Sequence, residues 1–447
     1  MLPSTAEFYC FLVIVFLAFW ALRRYRLTSL ILICAANLFF YAKWGLIYLA
    51  LIPAAASADF FIGRALASTK RAVTRRLLLA ASLAINIGLI VFGRTAGHAG
   101  AIALPLSLSF YAFQALTYTI DIYREDAVPT RSYAQYLASV SFFPTVLAGP
   151  ITRVSTLIPQ WNWKGAALSG EDGSRGLFLV GLGLAKKFLI ADYLGTNLVN
   201  RVFDLPTLYS GGDVLVAVYA YAFQLYYDFS GYSDIAIGAA LLLGIRLPTN
   251  FNAPYTALNL ADFWRRWHVT FSNWLRDYLY FALPGPRTRL MPYANLVITM
   301  AIGGLWHGLH WTFLIWGVLH GLGLAAFRLW QKASKFSLSP IVSRLLTFHF
   351  VLFTWIFFRA ANVSAALKIL SQIASLRYSF DNTTPALLLV LAIAIVTHFI
   401  PRSWFEGGVS LFARTPALAQ SGALGLLLVV IQRVASTGAA PFIYSRF

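Results

Sequence analysis

Along its whole length the chain alternates between apolar runs and short polar joints. Apolar runs cover 8–22, 27–41, 45–62, 77–93 and 101–120, then 176–194, 214–225, 296–304, 311–327, 345–358, 386–400 and 424–434. This pattern predicts an all-α polytopic membrane protein. Dividing the apolar length by the ~20 residues of a straight span predicts roughly ten to twelve spans. Several runs are shorter than that, which predicts broken, re-entrant or protein-enclosed helices. The polar, breaker-rich joints at 143–164, 201–213 and 227–295 are where functional residues should gather. In the first of them, Phe143-Pro144-Thr145-Val146-Leu147-Ala148-Gly149-Pro150 is apolar but too interrupted to span. It predicts a re-entrant turn, enclosed by protein or lining a cavity. No internal repeat or separating linker is evident, so one membrane domain over 1–447 is expected.

A second periodicity marks 262–278. Trp264, His268, Phe271, Leu275 and Tyr278 recur at helical spacing, which predicts one amphipathic helix with an apolar stripe. Asp262, Arg266, Asn273 and Asp277 fall on the opposite face, and Trp267 and Trp274 flank the stripe as interfacial aromatics do. His268 lies on the stripe, where a lone histidine is more often a packed core residue than a catalyst.

Composition agrees with a membrane protein. Hydrophobic residues fill 59% of the 447 positions, charged residues 11%, and mean hydropathy is +0.69. A soluble chain of this length needs more charge to cover its surface. The formal charge of +19 is divided among short loops: Arg23, Arg24 and Arg26 after the first run, and Lys70, Arg71, Arg75 and Arg76 after the third. The positive-inside rule puts both groups in the cytoplasm and the N-terminus outside, and anionic headgroups would attract them. Charge so divided argues against nucleic acid, and part of the excess could serve an anionic cofactor on the cytoplasmic side. The run 8–22 has neither a basic leader nor a cleavage site and is expected to be a retained helix. Cys10 and Cys34, alone in separate runs, are expected to be inert core thiols.

The candidate chemistry centres on Gly303-Gly304-Leu305-Trp306-His307-Gly308-Leu309-His310-Trp311. An ionisable group at membrane depth costs at least ~2.5 kcal/mol and usually persists for a function. Glycines on both sides of His307 let a neighbouring backbone or a substrate approach the ring. His307 and His310 could meet on one helical face, but no carboxylate lies between 278 and 380, so no metal is expected. No Gly-x-Ser-x-Gly elbow supports a serine hydrolase. Asp228 and Asp234 bracket Phe229-Ser230-Gly231-Tyr232-Ser233 and read first as a polar break where two short helices meet. What remains is general base catalysis by histidine, whose ordinary pKa near 6.5 suits removal of a proton from a hydroxyl attacking a thioester.

At these residues the chain resembles the bacterial membrane-bound O-acyltransferases, in the branch of alginate O-acetyltransferase membrane subunits. The likeness is carried by Tyr227-Asp228-Phe229-Ser230-Gly231-Tyr232-Ser233-Asp234, Asn250-Phe251-Asn252-Ala253-Pro254-Tyr255, Phe263-Trp264-Arg265-Arg266-Trp267-His268, the 303–311 tract and 144–153, together spanning about 140–320. The resemblance implies a ring of helices around a thinned centre, with funnels from both faces meeting at two histidines. These fall on His307 and His268; His310 is not carried over. It further implies an acyl thioester donor from the cytoplasm, acetyl-CoA or an acyl carrier protein, with no bound cofactor. The acceptor would be a polysaccharide hydroxyl on the outer side of a bacterial inner membrane, with an extracytoplasmic acyltransferase as partner protein.

Cavity candidates are Asp228, Ser230, Tyr232, Asp234, Asn252, Trp264, Arg265 and Trp306. Arg265 and Arg266 could steer cofactor phosphates. The end, Pro441-Phe442-Ile443-Tyr444-Ser445-Arg446-Phe447, reads by composition as an interfacial anchor. It also resembles the aromatic C-terminal motif of extracytoplasmic O-acylation systems, which implies Tyr444 as an acyl carrier held by Arg446. Two alternatives stay open: D-alanyl transfer to teichoic acid-type polymers, and a transporter of polysaccharide or lipid.

Overall fold

Apolar segments must close their backbone hydrogen bonds on themselves, and every described element of this chain is helical. The computed structural model describes residues 5–98, 105–146, 149–163, 167–285, 287–334, 336 and 338–434. In order, α1 (Ala6–Leu22), α2 (Arg26–Ala42), α3 (Tyr48–Ser68), α4 (Ala72–His98) and α5 (Pro105–Arg124) precede the short α6 (Tyr133–Val140), α7 (Phe143–Val146) and α8 (Val154–Leu157). Next come α9 (Gly170–Ala185), π-helical turns at Lys186–Asp192 and Gly195–Val199, α10 (Asn200–Asp204) and the 32-residue α11 (Gly211–Leu242). The remainder is α12 (Leu260–Trp264), α13 (Val269–Trp274), α14 (Met291–His307), α15 (Trp311–Ala333), α16 (Pro340–Arg359), α17 (Val363–Ala374), α18 (Pro385–His398), α19 (Arg402–Arg414) and α20 (Ala417–Val434).

Among the described residues, five helices are long and apolar enough to cross a membrane: α3, α4 over Ala72–Gly93, α15, α16 and α20. The pair α18–α19, bent by 96°, makes a sixth if counted as one broken span. This is fewer than the ten to twelve predicted. Helices α1 and α2 stop at 17 residues each, and the apolar run 214–225 lies inside α11, whose length also carries Asp213, Asp228 and Asp234. That helix runs unbroken through Asp228 and Asp234, so the expected break between two short helices is not there. Large apolar side chains cover the outside, such as Val13, Ile14 and Leu17 on α1 and Leu426, Leu428 and Val429 on α20. Cys10 shares this exposed side of α1 and is not a core thiol; Cys34 is half-buried.

Two compact units divide the chain. The first draws on Met1–Leu182, Tyr232–Thr249 and Phe412–Arg414. Its α7 is a short, fully buried turn at the start of the stretch expected to re-enter over 143–150, of which 147–148 lie outside the described residues. The turn is pinned by Asn37, whose Oδ1 accepts the Phe143 N–H at 3.0 Å while its Nδ2 donates to Ala138 O at 3.3 Å. The buried backbone is thus satisfied inside protein, as its depth requires.

The second unit draws on Gly183–Gly231, Asn250–Leu411 and Thr415–Phe447. Its centre is the α14–α15 pair, packed backbone on backbone. A Cβ on Gly317 would fall 3.0 Å from Ala301 Cα, and one on Gly321 would fall 2.5 Å from Val297 Cα. Small residues four apart allow this approach where water supplies no driving force between helices.

Candidate active site

The predicted helix over 262–278 is broken, and the break places His268. Helix α12 ends at Trp264 and α13 starts at Val269, with His268 between them in the left-handed region at φ 41°, ψ 54°. A non-glycine residue there is strained and stays only where its surroundings over-determine it. Here the segment 250–252 docks into the gap. Asn250 O accepts the Val269 N–H at 2.8 Å, and the Asn252 N–H donates to Arg266 O at 2.9 Å. These long-range bonds take the place of helical ones, which is why periodicity missed the break. Trp267, expected at a membrane interface, is instead buried.

The Asn250 side chain also fixes the imidazole. Its Oδ1 accepts from the Thr270 N–H at 3.4 Å and the Thr270 hydroxyl at 2.9 Å, and it lies 3.0 Å from His268 Nδ1. A backbone N–H can only donate, so the atom facing it is the amide oxygen. His268 Nδ1 must then carry the hydrogen, leaving the lone pair on Nε2. Burial pushes this imidazole down to about 3, because desolvation disfavours its charged form.

His307 ends α14 and is buried among rings from four helices. Trp306 lies at 4.7 Å, Phe358 at 4.9 Å, Trp316 at 5.3 Å, Phe271 at 6.0 Å and Phe313 at 6.1 Å between centroids. The two candidate histidines share part of this wall. Phe271 stacks on His268 at 5.0 Å and lies tilted against Trp306 at 4.5 Å, and Trp306 lies 6.4 Å from His268. Phe271 and Trp306 thus neighbour both imidazoles within one largely apolar cluster of rings. In such a setting a hydrogen bond or developing charge meets little screening.

The other candidates scatter. Asp228 is buried one residue before Phe229, whose ring meets His268 at 4.6 Å. It pairs at 2.6 Å with Lys187, which also reaches Asp192 at 2.8 Å. Ser230 is buried in the same unit, whereas Tyr232 and Asp234 belong to the first unit. Trp264 joins the ring cluster through Trp316 at 5.8 Å and His320 at 5.1 Å. The Asn252 side chain is exposed, and Arg265 is exposed beside Asp262. Arg266 is tied to Asp262 at 3.0 Å. His310 is exposed while His307 is buried, and among the described residues no three His, Cys, Asp or Glu side chains converge as a metal site would need. Tyr444 and Arg446 lie outside the described residues.

The glycines beside His307 serve neighbouring protein. Gly303 lies on Leu275, Gly304 on Phe313 and Gly317, and Gly308 on the Phe313 ring. Sequence reasoning missed Lys187, although a Lys186-Lys187 pair inside an apolar run was a visible signal. It also missed Asn250 as the partner of His268, a pairing that no local pattern displays.

The model of the membrane-bound O-acyltransferase family matches residues 124–367. A peptidoglycan O-acetyltransferase from Helicobacter pylori is 36% identical, over 82% of this chain and 78% of its own length. A probable alginate O-acetylase from Azotobacter vinelandii is 35% identical, over 83% and 76%. A teichoic acid D-alanyltransferase from Streptococcus thermophilus is 28% identical over 52% of this chain.

Proposed function

The chain belongs to the membrane-bound O-acyltransferase family and is a multi-pass membrane O-acyltransferase, and from that premise we propose that it transfers acetyl groups for O-acetylation of an exported or cell-surface glycan. The donor is a cytoplasmic thioester, acetyl-CoA or an acyl carrier protein, and the membrane is the bacterial inner membrane. Relatives named for O-acetylation of peptidoglycan and of alginate support the acetyl group and the glycan. The D-alanyl alternative rests on lower identity over about half the chain.

One observation carries the chemistry: the buried His268 and His307 share the Phe271–Trp306 ring pair. His307 acts as general base and takes the proton of the acceptor hydroxyl as its oxygen bonds to the thioester carbonyl carbon. The carbon–sulfur bond then breaks, and the proton passes to the departing thiolate, which leaves as free thiol. His268, its lone pair held on Nε2 by Asn250, orients the hydroxyl or shares the proton. Tyr444 is the first acceptor, held by Arg446, and a separate extracytoplasmic transferase completes delivery. Its phenol, with an ordinary pKa near 10, needs a base to attack yet leaves readily when a sugar hydroxyl displaces it.

The test is acetyl profiling of surface glycan from cells carrying His307→Ala at normal protein level. A general base contributes roughly 10²–10⁴-fold, so only traces of acetylation should remain. Near-normal acetylation would remove His307 from the mechanism.

A further inference from the structure

The second unit holds a buried imidazole that the proposed chemistry does not use. His320 on α15 and Thr354 on α16 are both wholly buried, and His320 Nε2 lies 2.9 Å from Thr354 Oγ1. The Thr354 hydroxyl gives its one hydrogen to Val351 O at 2.7 Å. Toward the imidazole it can only accept, so His320 Nε2 carries a hydrogen and donates from one helix to the other. His320 Nδ1 has no hydrogen-bond partner among the described residues. An imidazole that leaves one buried nitrogen unpaired is a costly way to fill space, because an apolar side chain there would leave none. The bond to Thr354 is what His320 contributes and an apolar side chain could not.

That bond stands one helical turn from the rings that flank His307. Trp316 precedes His320 by four residues on α15, and Phe358 follows Thr354 by four on α16, so each ring shares a helix face with one end of the bond. The two helices run antiparallel, and both turns lead the same way: Trp316 meets Phe358 at 5.1 Å, and these rings meet His307 at 5.3 Å and 4.9 Å. Helix α14, which carries His307, is held against α15 by the backbone contacts of Gly304, Gly317 and Gly321. Nothing comparable fixes α16. Around the bond its contact with α15 is made of rings, with Trp316 stacked on Trp355 at 5.8 Å and His320 edge-on to Phe350 at 5.7 Å. Apolar contact is non-directional, and packed helices slide past one another by roughly 1–2 Å at little cost. A hydrogen bond weakens steeply away from its proper length and line, and between membrane helices it ties one to the next.

We infer that His320 is a positioning residue for His307: its hydrogen bond to Thr354 sets the level of α16 against α15 and so holds Trp316 and Phe358 on either side of the imidazole. The inference rests on the reading of His307 as general base. Its expected size is large for a residue remote from the chemistry, because a misplacement of about 1 Å can cost about a hundredfold.

The experiment measures acetyl groups on surface glycan per folded, membrane-inserted chain, with His307→Ala alongside. His320→Phe keeps a ring of similar volume and loses the donor, and it should lower acetylation roughly tenfold to a hundredfold. His320→Gln puts an amide N–H the same number of bonds from the backbone and should recover most of the loss. Packing alone predicts the opposite order, since phenylalanine fills the site and glutamine buries a polar amide. Thr354→Val and Thr354→Ser put the same question from α16: the serine variant keeps the acceptor and should stay active, and the valine variant should not. This second pair decides the matter if the His320 variants fail to insert. Near-normal acetylation in His320→Phe, a His320→Gln variant no better than His320→Phe, or equal activity in Thr354→Val and Thr354→Ser would each overturn the positioning role and leave His307 as base. Near-normal acetylation in His307→Ala would overturn both.

Discussion

Gly304 and Gly317 meet across α14 and α15 so closely that a Cβ on Gly304 would lie 3.2 Å from Gly317 Cα and overlap the carbonyl oxygen of Phe313. His307 sits one helical turn beyond Gly304 on the same helix. The spacing of the two backbones therefore sets where the imidazole stands relative to the rings of Phe313 and Trp316.

Gly304→Ala should consequently reduce the folded, membrane-inserted protein as well as its activity. The obstacle is backbone, which cannot swing aside, and overpacking of this kind costs about 1–3 kcal/mol. Thermal unfolding in detergent checks it, with Gly425→Ala as control, since a Cβ there meets nothing within 4 Å.

Asn250→Ala should lower acetylation by roughly tenfold to a hundredfold, the range for losing a group that orients a functional imidazole. The mutation removes the acceptor that holds the hydrogen on His268 Nδ1. Asn250→Asp keeps an oxygen there and should recover much of the loss. Equal activity in the alanine variant and the wild type would show that the tautomer of His268 does not matter.

Lys187→Met should destabilise the second unit by about 3–5 kcal/mol, because it removes the cation paired with the buried Asp228 and the half-buried Asp192. Adding Asp228→Asn should restore part of that stability. A double variant no more stable than Lys187→Met in thermal unfolding would show that the ion pair is not the source of the cost.

Tyr444→Phe separates a carrier from an anchor. Ring and area are kept while the phenol oxygen is lost, so an anchor predicts near-normal acetylation. The carrier role predicts near-complete loss of glycan acetylation with normal membrane insertion, measured side by side on the same membranes.

Much of the architecture was legible before any coordinates. Residues such as Leu77 to Gly93 or Trp311 to Phe327 leave the backbone one way to satisfy itself in lipid, and helices formed where the apolar runs lay. His307 stood out because an imidazole between glycines at the join of two apolar segments has few bland explanations. Where each helix stops was less legible: α1 and α2 end at 17 residues each and α11 carries the run 214–225 on through Asp228 and Asp234, because apolar content does not reveal how far a helix extends.

By itself, the sequence determined the helical membrane class and the family and singled out His268 and His307 as candidates, since each depends on residue identity and local motifs. Tertiary structure alone decided the break at His268, the pairing of its Nδ1 with Asn250, the Lys187–Asp228 bond and the glycine contact of α14 with α15. Each of these joins residues distant along the chain, where hydrogen bonds and packing from elsewhere outweigh local periodicity.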